Sequence, residues 1–140
     1  MAATFRLSHG AADAAAGDGA STGLGGFIGS GAKITFYTGG VNTNPESAPA
    51  GTLLGTLAVT GSFAAASGDG KIDTSTIVSD SSADDSGTCA SFWVTKSDGT
   101  TPVADGNVGT ADTTITFDNN IFVEGGTIAM SAFSITVPSY

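Results

Sequence analysis

Few residues in this chain could perform chemistry, and they form no recognisable catalytic motif. The 140 residues contain one histidine and one cysteine, His9 and Cys89. A nucleophilic cysteine needs a base within hydrogen-bonding reach, but His9 has no acid beside it, and the apolar run around Cys89 predicts a small buried side chain. One cysteine also excludes an intramolecular disulfide. We therefore interpret His9 as a surface or interface residue, and we expect no enzymatic activity and no cofactor.

Asp80, Asp84 and Asp85 form the densest group of carboxylates in the sequence. Carboxylate oxygens are the ligands that Ca²⁺ prefers, but the spacing does not match the D-x-[DN]-x-[DN]-G calcium loop. A solvated loop is the simpler interpretation. The alternative is an adventitious or interface cation near Asp84 and Asp85, so we predict no dedicated metal site.

Aromatic side chains offer two further possibilities for binding. Trp93 and Tyr37 could form a platform on which a sugar ring stacks, as in lectin-like modules, although packing in the core is the interpretation that we favour. Tyr140 lies at the C-terminal end, after Pro138. Because a terminal tyrosine adds amphipathic contact area, Tyr140 predicts an interface side chain.

The charge balance excludes several classes of partner. With only four Lys or Arg residues and a formal net charge of −9, the chain has few cations to neutralise phosphates, so it predicts neither nucleic-acid binding nor attraction to an anionic membrane. No run approaches the roughly 18 apolar residues of a membrane span. Residues 1–7 lack the apolar segment of a signal peptide, so we expect the protein to be made in a cytoplasm.

Short strands must position these residues. Stretches of alternating apolar and polar residues, bounded by Gly, Asp, Asn and Pro, indicate strands. The predicted strands cover residues 32–38, 52–60, 71–78, 88–95, 101–108, 113–117, 121–123 and 127–137. Residues 88–95 carry apolar side chains on both faces, which indicates a central or covered strand, and Asp98-Gly99 predicts a hairpin. In residues 127–137 the alternation slips near Ala132, which predicts a β-bulge or a corner. The pattern predicts an all-β fold: a single-domain antiparallel β-sandwich or jelly roll of about seven or eight short strands.

The N-terminal residues follow a different pattern. Ser8 is a candidate N-cap for a brief helix through Ala16, but that segment has no large apolar side chain with which to dock. Residues 17–31 are rich in Gly, Ser and Ala. We therefore interpret residues 1–31 as a flexible Gly/Ala-rich arm and residues 32–140 as the β-sandwich domain.

Five short motifs, in their order along the chain, resemble those of a known family. The motifs are Thr4-Phe5-Arg6-Leu7-Ser8, Phe36-Tyr37-Thr38-Gly39, the run from Gly51 to Leu57, Ser97-Asp98-Gly99-Thr100, and Gly125-Gly126-Thr127 leading to Ile135-Thr136-Val137-Pro138. Together they span nearly the whole chain, and they resemble the small virion structural proteins of tailed bacteriophages. Similar proteins tend to have an amphipathic helix after the opening motif, whereas residues 11–31 here are poor in large apolar side chains.

The resemblance implies a capsid decoration (cement) protein that binds the outer surface of the phage head and stabilises it. It implies a homotrimer whose partners are the major capsid protein and its own copies, made in the host cytoplasm and located in the virion. The residues expected at capsid or inter-subunit contacts are Phe5, Arg6, Leu7, Leu24, Phe27 and Tyr140. The alternative is a tail or head-fibre component with a receptor-binding or carbohydrate-binding role.

Overall fold

The computed structural model describes residues 3–16, 23–63, 71–130 and 133–136, which form a mostly β structure with two short helices. The strands are β1 (Phe5–Leu7), β2 (Lys33–Tyr37), β3 (Leu53–Phe63), β4 (Lys71–Val78), β5 (Gly87–Thr88), β6 (Ser91–Thr95), β7 (Pro102–Gly109), β8 (Ile115–Thr116), β9 (Ile121–Phe122) and β10 (Ser134–Thr136). The helices are α1 (His9–Ala16) and α2 (Gly23–Ile28). Within the described ranges, no helix has the length and apolar character needed to cross a bilayer.

Seven strands form one antiparallel sheet in the order β1-β7-β6-β2-β3-β4-β10. There are also two small sheets. One consists of β5 and β9, and in the other β8 pairs in parallel with the end of β7. A mostly β structure and the antiparallel pairing of the seven-strand sheet are confirmed. The described strands do not divide into two large facing sheets, because hydrogen bonds join seven of them into one continuous sheet.

Irregular pairing bends this sheet. The registers shift between Phe36 and Tyr37, between Thr60 and Phe63, and between Val94 and Thr95, and such irregularities bend a sheet and increase its twist. Phe133, next to β10 at one end of the path, packs edge-on against Phe92 in β6, with the ring centroids 5.8 Å apart. The bend thus brings a residue from the end of the path onto a central strand.

The inner face carries the large apolar side chains in the predicted alternation. Ile34 and Phe36 in β2 lie in register with Val94 and Phe92 in β6, and all four are fully buried. Near the loops that follow β7, the rings of Phe36, Phe117 and Phe122 pack edge to face at centroid distances between 5.4 and 6.0 Å. β6 lies between β7 and β2 and is buried along its whole length, which confirms that residues 88–95 include a central strand.

The N-terminal segment is part of this core, contrary to the predicted arm. Ser8 caps α1 as expected, because its Oγ accepts a hydrogen bond from the Ala11 amide at 3.2 Å. Ala11, Leu24 and Ile28 are buried in the same apolar cluster as the strands. The small residues of α1 allow close packing instead of preventing docking: a Cβ on Gly10 would lie only 2.9 Å from the Phe27 ring. Residues 17–22 lie outside the described part of the chain, as does the expected helix stop at Gly17.

The predicted strand 127–137 is observed as two pieces that face the same partner. Ile128 forms an isolated bridge with Asp80, and Ser134 in β10 pairs with Asp73 in β4. Seven positions separate Asp73 from Asp80, whereas six separate Ile128 from Ser134. The register of the two pieces therefore differs by one residue. Ala132, near which the alternation predicts a slip, lies outside the described residues.

Candidate interaction surface

The side chains with nucleophilic or basic chemistry lie apart. The His9 side chain is 92% exposed, and its Nδ1 is 3.9 Å from Glu46 Oε1. Cys89 is fully buried just before β6, at the opposite end of the sheet from α1. Desolvation by burial raises the pKa of its thiol to about 12, so the thiolate that a nucleophile requires is not formed near neutral pH.

Two of the three carboxylates of the Asp80–Asp85 loop accept backbone hydrogen bonds. Asp80 accepts them from the amides of Thr56 at 3.1 Å and Ser82 at 3.0 Å, and Asp85 accepts one from the amide of Ser86 at 2.7 Å. Asp84 and Asp85 are exposed. Among the described residues, no group of three or more His, Cys, Asp or Glu side chains could hold a metal ion.

Arg6, one of the expected contact residues, is fully engaged within the chain. Its guanidinium donates to both carboxylate oxygens of Asp105, at 2.9 and 2.6 Å, and to the carbonyls of Asn42 and Thr43. The Asp105 carboxylate is completely buried, and a planar guanidinium matches its two oxygens. This pair ties β1 and β7 to the loop that follows β2.

Three other expected contact residues also face the interior. Leu24 is buried in the core, and Leu7 and Phe27 pack against it. The Phe27 ring lies under the Lys96 ammonium, with Nζ 4.8 Å from the ring centroid. Tyr140 lies outside the described residues. Within the described part of the chain, these side chains hold the helices and β1 against the sheet.

Trp93 is an internal anchor as well. Only 7% of it is exposed, and its indole Nε1 donates to the Pro45 carbonyl at 3.0 Å beneath the loop that follows β2. This loop covers the outer face of β6, where Trp93 lies in register with Asp105 and Thr35. In this position the indole presents no open face on which a sugar could stack, so the geometry agrees with the core interpretation.

Phe5 is the expected contact residue that reaches an open surface. It is 37% exposed and stacks on Phe92 across Gly106, with the ring centroids 6.4 Å apart and the planes inclined by 21°. Beside it runs a groove of about 510 Å³, here called the Phe5 groove. Its wall includes Ile115, Phe117, Met130, Phe133 and Ile135. Residues from both ends of the seven-stranded path meet there, so the groove marks where the bent sheet stays open.

A second apolar region adjoins this groove and was not predicted from the sequence. Ile121 and Val123 are 59% and 64% exposed, and both line a groove of about 440 Å³ that shares Phe117 and Ala129 with the Phe5 groove. We call this region the Ile121 face. Its sequence signal is the Ile-Phe-Val alternation: Phe122 is buried, so its two neighbours point outward. Alternation alone could not show that none of the described strands covers them.

Within the described part of the chain, the groups capable of chemistry are separated, buried or held in turns, and two adjoining grooves open at the surface beside exposed apolar side chains. The chain matches no protein-family model, no curated protein sequence and no solved structure.

Proposed function

We propose that this protein is a virion structural protein of a tailed bacteriophage, a decoration protein that binds the outer surface of the head and stabilises it. The observation that carries a role in contact is the apolar tract formed by the exposed side chains of Phe5, Ile121 and Val123 beside the two adjoining grooves. Burying this exposed apolar surface against a partner is favourable, because it removes the surface from water. The assignment to a phage head rests on the ordered motifs of the sequence.

Two of those motifs have structural roles in the fold. The opening motif supplies β1 and the cap of α1, with Arg6 bonded to the buried Asp105. The Ser97–Thr100 motif forms the β6–β7 hairpin, in which the Asp98 carboxylate accepts the amide hydrogens of Thr100 and Thr101. Residues in these motifs therefore help to determine the fold.

We expect a homotrimer to bind the shell more tightly than a monomer. Several subunits held together would present several copies of the apolar tract, and such multivalency raises avidity without any new contact. The net charge of −9 would keep the free protein soluble while its apolar tract is uncovered.

The test is the copy number of the protein in purified particles, measured by quantitative mass spectrometry against the major capsid protein. We expect a ratio near parity, because a decoration protein covers the lattice of the head. A handful of copies per particle would instead favour the tail or head-fibre alternative. Absence from purified particles would overturn the virion assignment.

A further inference from the structure

The chain at β9 exposes two large apolar side chains on its outward side. Ile121 and Val123 lie on the same side, and both are more than half exposed, while Phe122 between them packs edge-on against Phe36 at 6.0 Å. The buried ring fixes the orientation of its neighbours, because side chains alternate along an extended chain. Two branched apolar side chains are therefore held side by side in water.

A recess beside these side chains could receive a partner's side chain. The groove of about 440 Å³ is lined on its apolar part by Ala83, Phe117, Phe122 and Ile128. The backbone around it is fixed, since the Gly125 amide donates to the Ala83 carbonyl at 2.9 Å and the Ala83 amide donates to the Gly126 carbonyl at 2.8 Å. The recess is therefore part of the folded framework.

Exposed acidic side chains lie next in the chain to residues that line this recess. Asp84 and Asp85 follow Ala83 in the loop before β5, Asp118 lies in the loop before β9, and Glu124 lies in the loop after β9. The first and last of these loops are joined by a hydrogen bond from the Glu124 amide to Ser86 Oγ at 2.8 Å. Four carboxylates near one apolar recess create a negative potential there, which attracts a partner carrying the opposite charge.

The cations of the described chain lie elsewhere. Lys33 begins β2 and pairs with Thr95, Lys96 follows β6, and Lys71 begins β4, so these three lie at the end of the sheet that carries the helices. Arg6 is bonded to Asp105. The Ile121 face lies at the opposite end, where Gly87 pairs with Phe122. Two copies that met through this face would place carboxylates against carboxylates, which disfavours a symmetric self-contact.

We propose that the Ile121 face is the docking surface for a basic partner, a protein surface that presents an apolar side chain bordered by Lys or Arg. The apolar side chain fills the recess beside Ile121 and Val123, and the cations meet the acidic rim. This inference rests on the proposed function only in taking contact as the role of the protein, and it adds the chemistry of the partner.

The test uses a defined probe, a heptapeptide of alternating lysine and leucine, added to the ¹⁵N-labelled protein at low salt. We expect saturable changes in amide chemical shifts that are largest at Ile121, Val123 and Glu124. A heptapeptide with serine in place of leucine keeps the charge and removes the apolar side chains. Equal shifts with this control, or the largest shifts on another face, would overturn the proposal.

Variants separate the apolar contribution from the electrostatic one. Ile121→Ser/Val123→Ser should weaken peptide binding by on the order of tenfold, because two apolar side chains no longer become buried. Asp118→Asn/Glu124→Gln should weaken binding and reduce its salt dependence. The matched control is Asp13→Asn/Glu46→Gln, which changes the net charge equally at exposed positions away from the face. An equal loss in this control would show attraction to net charge alone and contradict the proposal.

Binding of the wild-type protein to purified phage particles distinguishes this inference from the proposed function. Particle binding that the Ile121→Ser/Val123→Ser variant retains would support the phage role and place the docking surface elsewhere. Peptide binding at the Ile121 face, with the protein absent from particles, would support the surface and overturn the phage role.

Discussion

At the scale of single residues, the contact between Arg6 and Asp105 pairs a completely buried carboxylate with a cation. We predict that Arg6→Met lowers the free energy of unfolding by about 3 kcal/mol, because it leaves a buried carboxylate without its cation. Arg6→Lys should cost less, since it keeps the charge but loses the two-pronged geometry. Urea unfolding followed by circular dichroism measures both.

The control for this prediction is the double variant Arg6→Met/Asp105→Leu. Because it removes the buried charge together with its partner, it should be more stable than Arg6→Met alone. A double variant that is less stable than Arg6→Met would show that Asp105 contributes through its other contacts instead.

Two threonines on neighbouring strands should respond to the same substitution in opposite directions. Thr95 Oγ1 is buried and has no hydrogen-bond partner among the described residues, whereas Thr35 Oγ1 donates to the Trp93 carbonyl at 3.1 Å. Thr95→Val should raise the free energy of unfolding by about 1 kcal/mol, and Thr35→Val should lower it by about the same amount. Denaturant midpoints provide the comparison, and equal losses in both variants would refute it.

The Asp98 carboxylate gives the hairpin a dependence on pH. Hydrogen bonds from Thr101, first from its side chain and then from its amide, lower the pKa of Asp98 from 3.8 to about 2. Because folding lowers this pKa, the stabilisation is present above pH 3.8 and is lost as the pH falls through about 2. Thr101→Val should raise the pKa of Asp98 toward 3.8 in an NMR titration.

The matched control for the hairpin is Thr100→Val. The Thr100 side chain makes the smallest contribution to lowering the pKa of Asp98, so this variant should leave that pKa nearly unchanged. An equal rise in both variants would indicate that the turn itself has opened.

At the scale of elements, the packing of β1 against β7 depends on a missing side chain. Gly106 lies in register between Phe5 and Phe92, and a Cβ there would be 2.6 Å from both the Phe92 ring and the Thr4 carbonyl oxygen. Gly106→Ala should therefore lower the free energy of unfolding by about 1–3 kcal/mol through overpacking. Gly40→Ala is the control, because a Cβ on Gly40 meets nothing within 4 Å. Equal thermal midpoints for the two variants would contradict the prediction.

The extents and faces of most strands could be predicted from the sequence. The alternation in Lys33–Tyr37 placed Ile34 and Phe36 on the buried side, and the predicted strand 71–78 coincides with β4. Turn residues mark where strands end, but they do not say which strands pair. Thr4 and Asn107 exchange hydrogen bonds across 103 positions, and no local pattern could show this.

The N-terminal segment shows where reasoning from composition fails. A segment rich in Ala and Gly predicts an arm, because it offers few large apolar side chains for docking. In the fold, small side chains allow α1 and α2 to approach each other, and Leu24 and Ile28 supply the anchors. Deleting residues 1–31 would therefore remove part of the core and would not test an arm.

At the scale of the whole molecule, the candidate surface was harder to predict than the fold. The sequence predicts a role in contact and proposes Phe5 as one contact residue, and the structure places Phe5 beside an open groove. The sequence did not identify Ile121 and Val123, because an exposed apolar residue is distinguished from a buried one only by what covers it. It also placed Arg6 and Leu24 among the contacts, and both are engaged inside the described chain.

The proposed stabilisation of the head leads to a prediction for intact particles. Particles that lack this protein should release their DNA at a lower temperature, and added purified protein should raise that temperature in a concentration-dependent way. A ligand of the assembled shell stabilises it by about 2.7 kcal/mol per site at a free concentration of one hundred times Kd. Fluorescence of a DNA-binding dye during heating measures the release. Saturating binding without any shift in temperature would argue against a stabilising role.

The burial of Cys89 has a practical consequence for chemical labelling. Because Cys89 is fully buried and its pKa is about 12, we expect its thiol not to react with maleimides or disulfide reagents until the core unfolds locally. A cysteine introduced on the Ile121 face would then be the thiol that reacts with a fluorophore or crosslinker. The rate at which Cys89 itself reacts would measure how often the core unfolds locally.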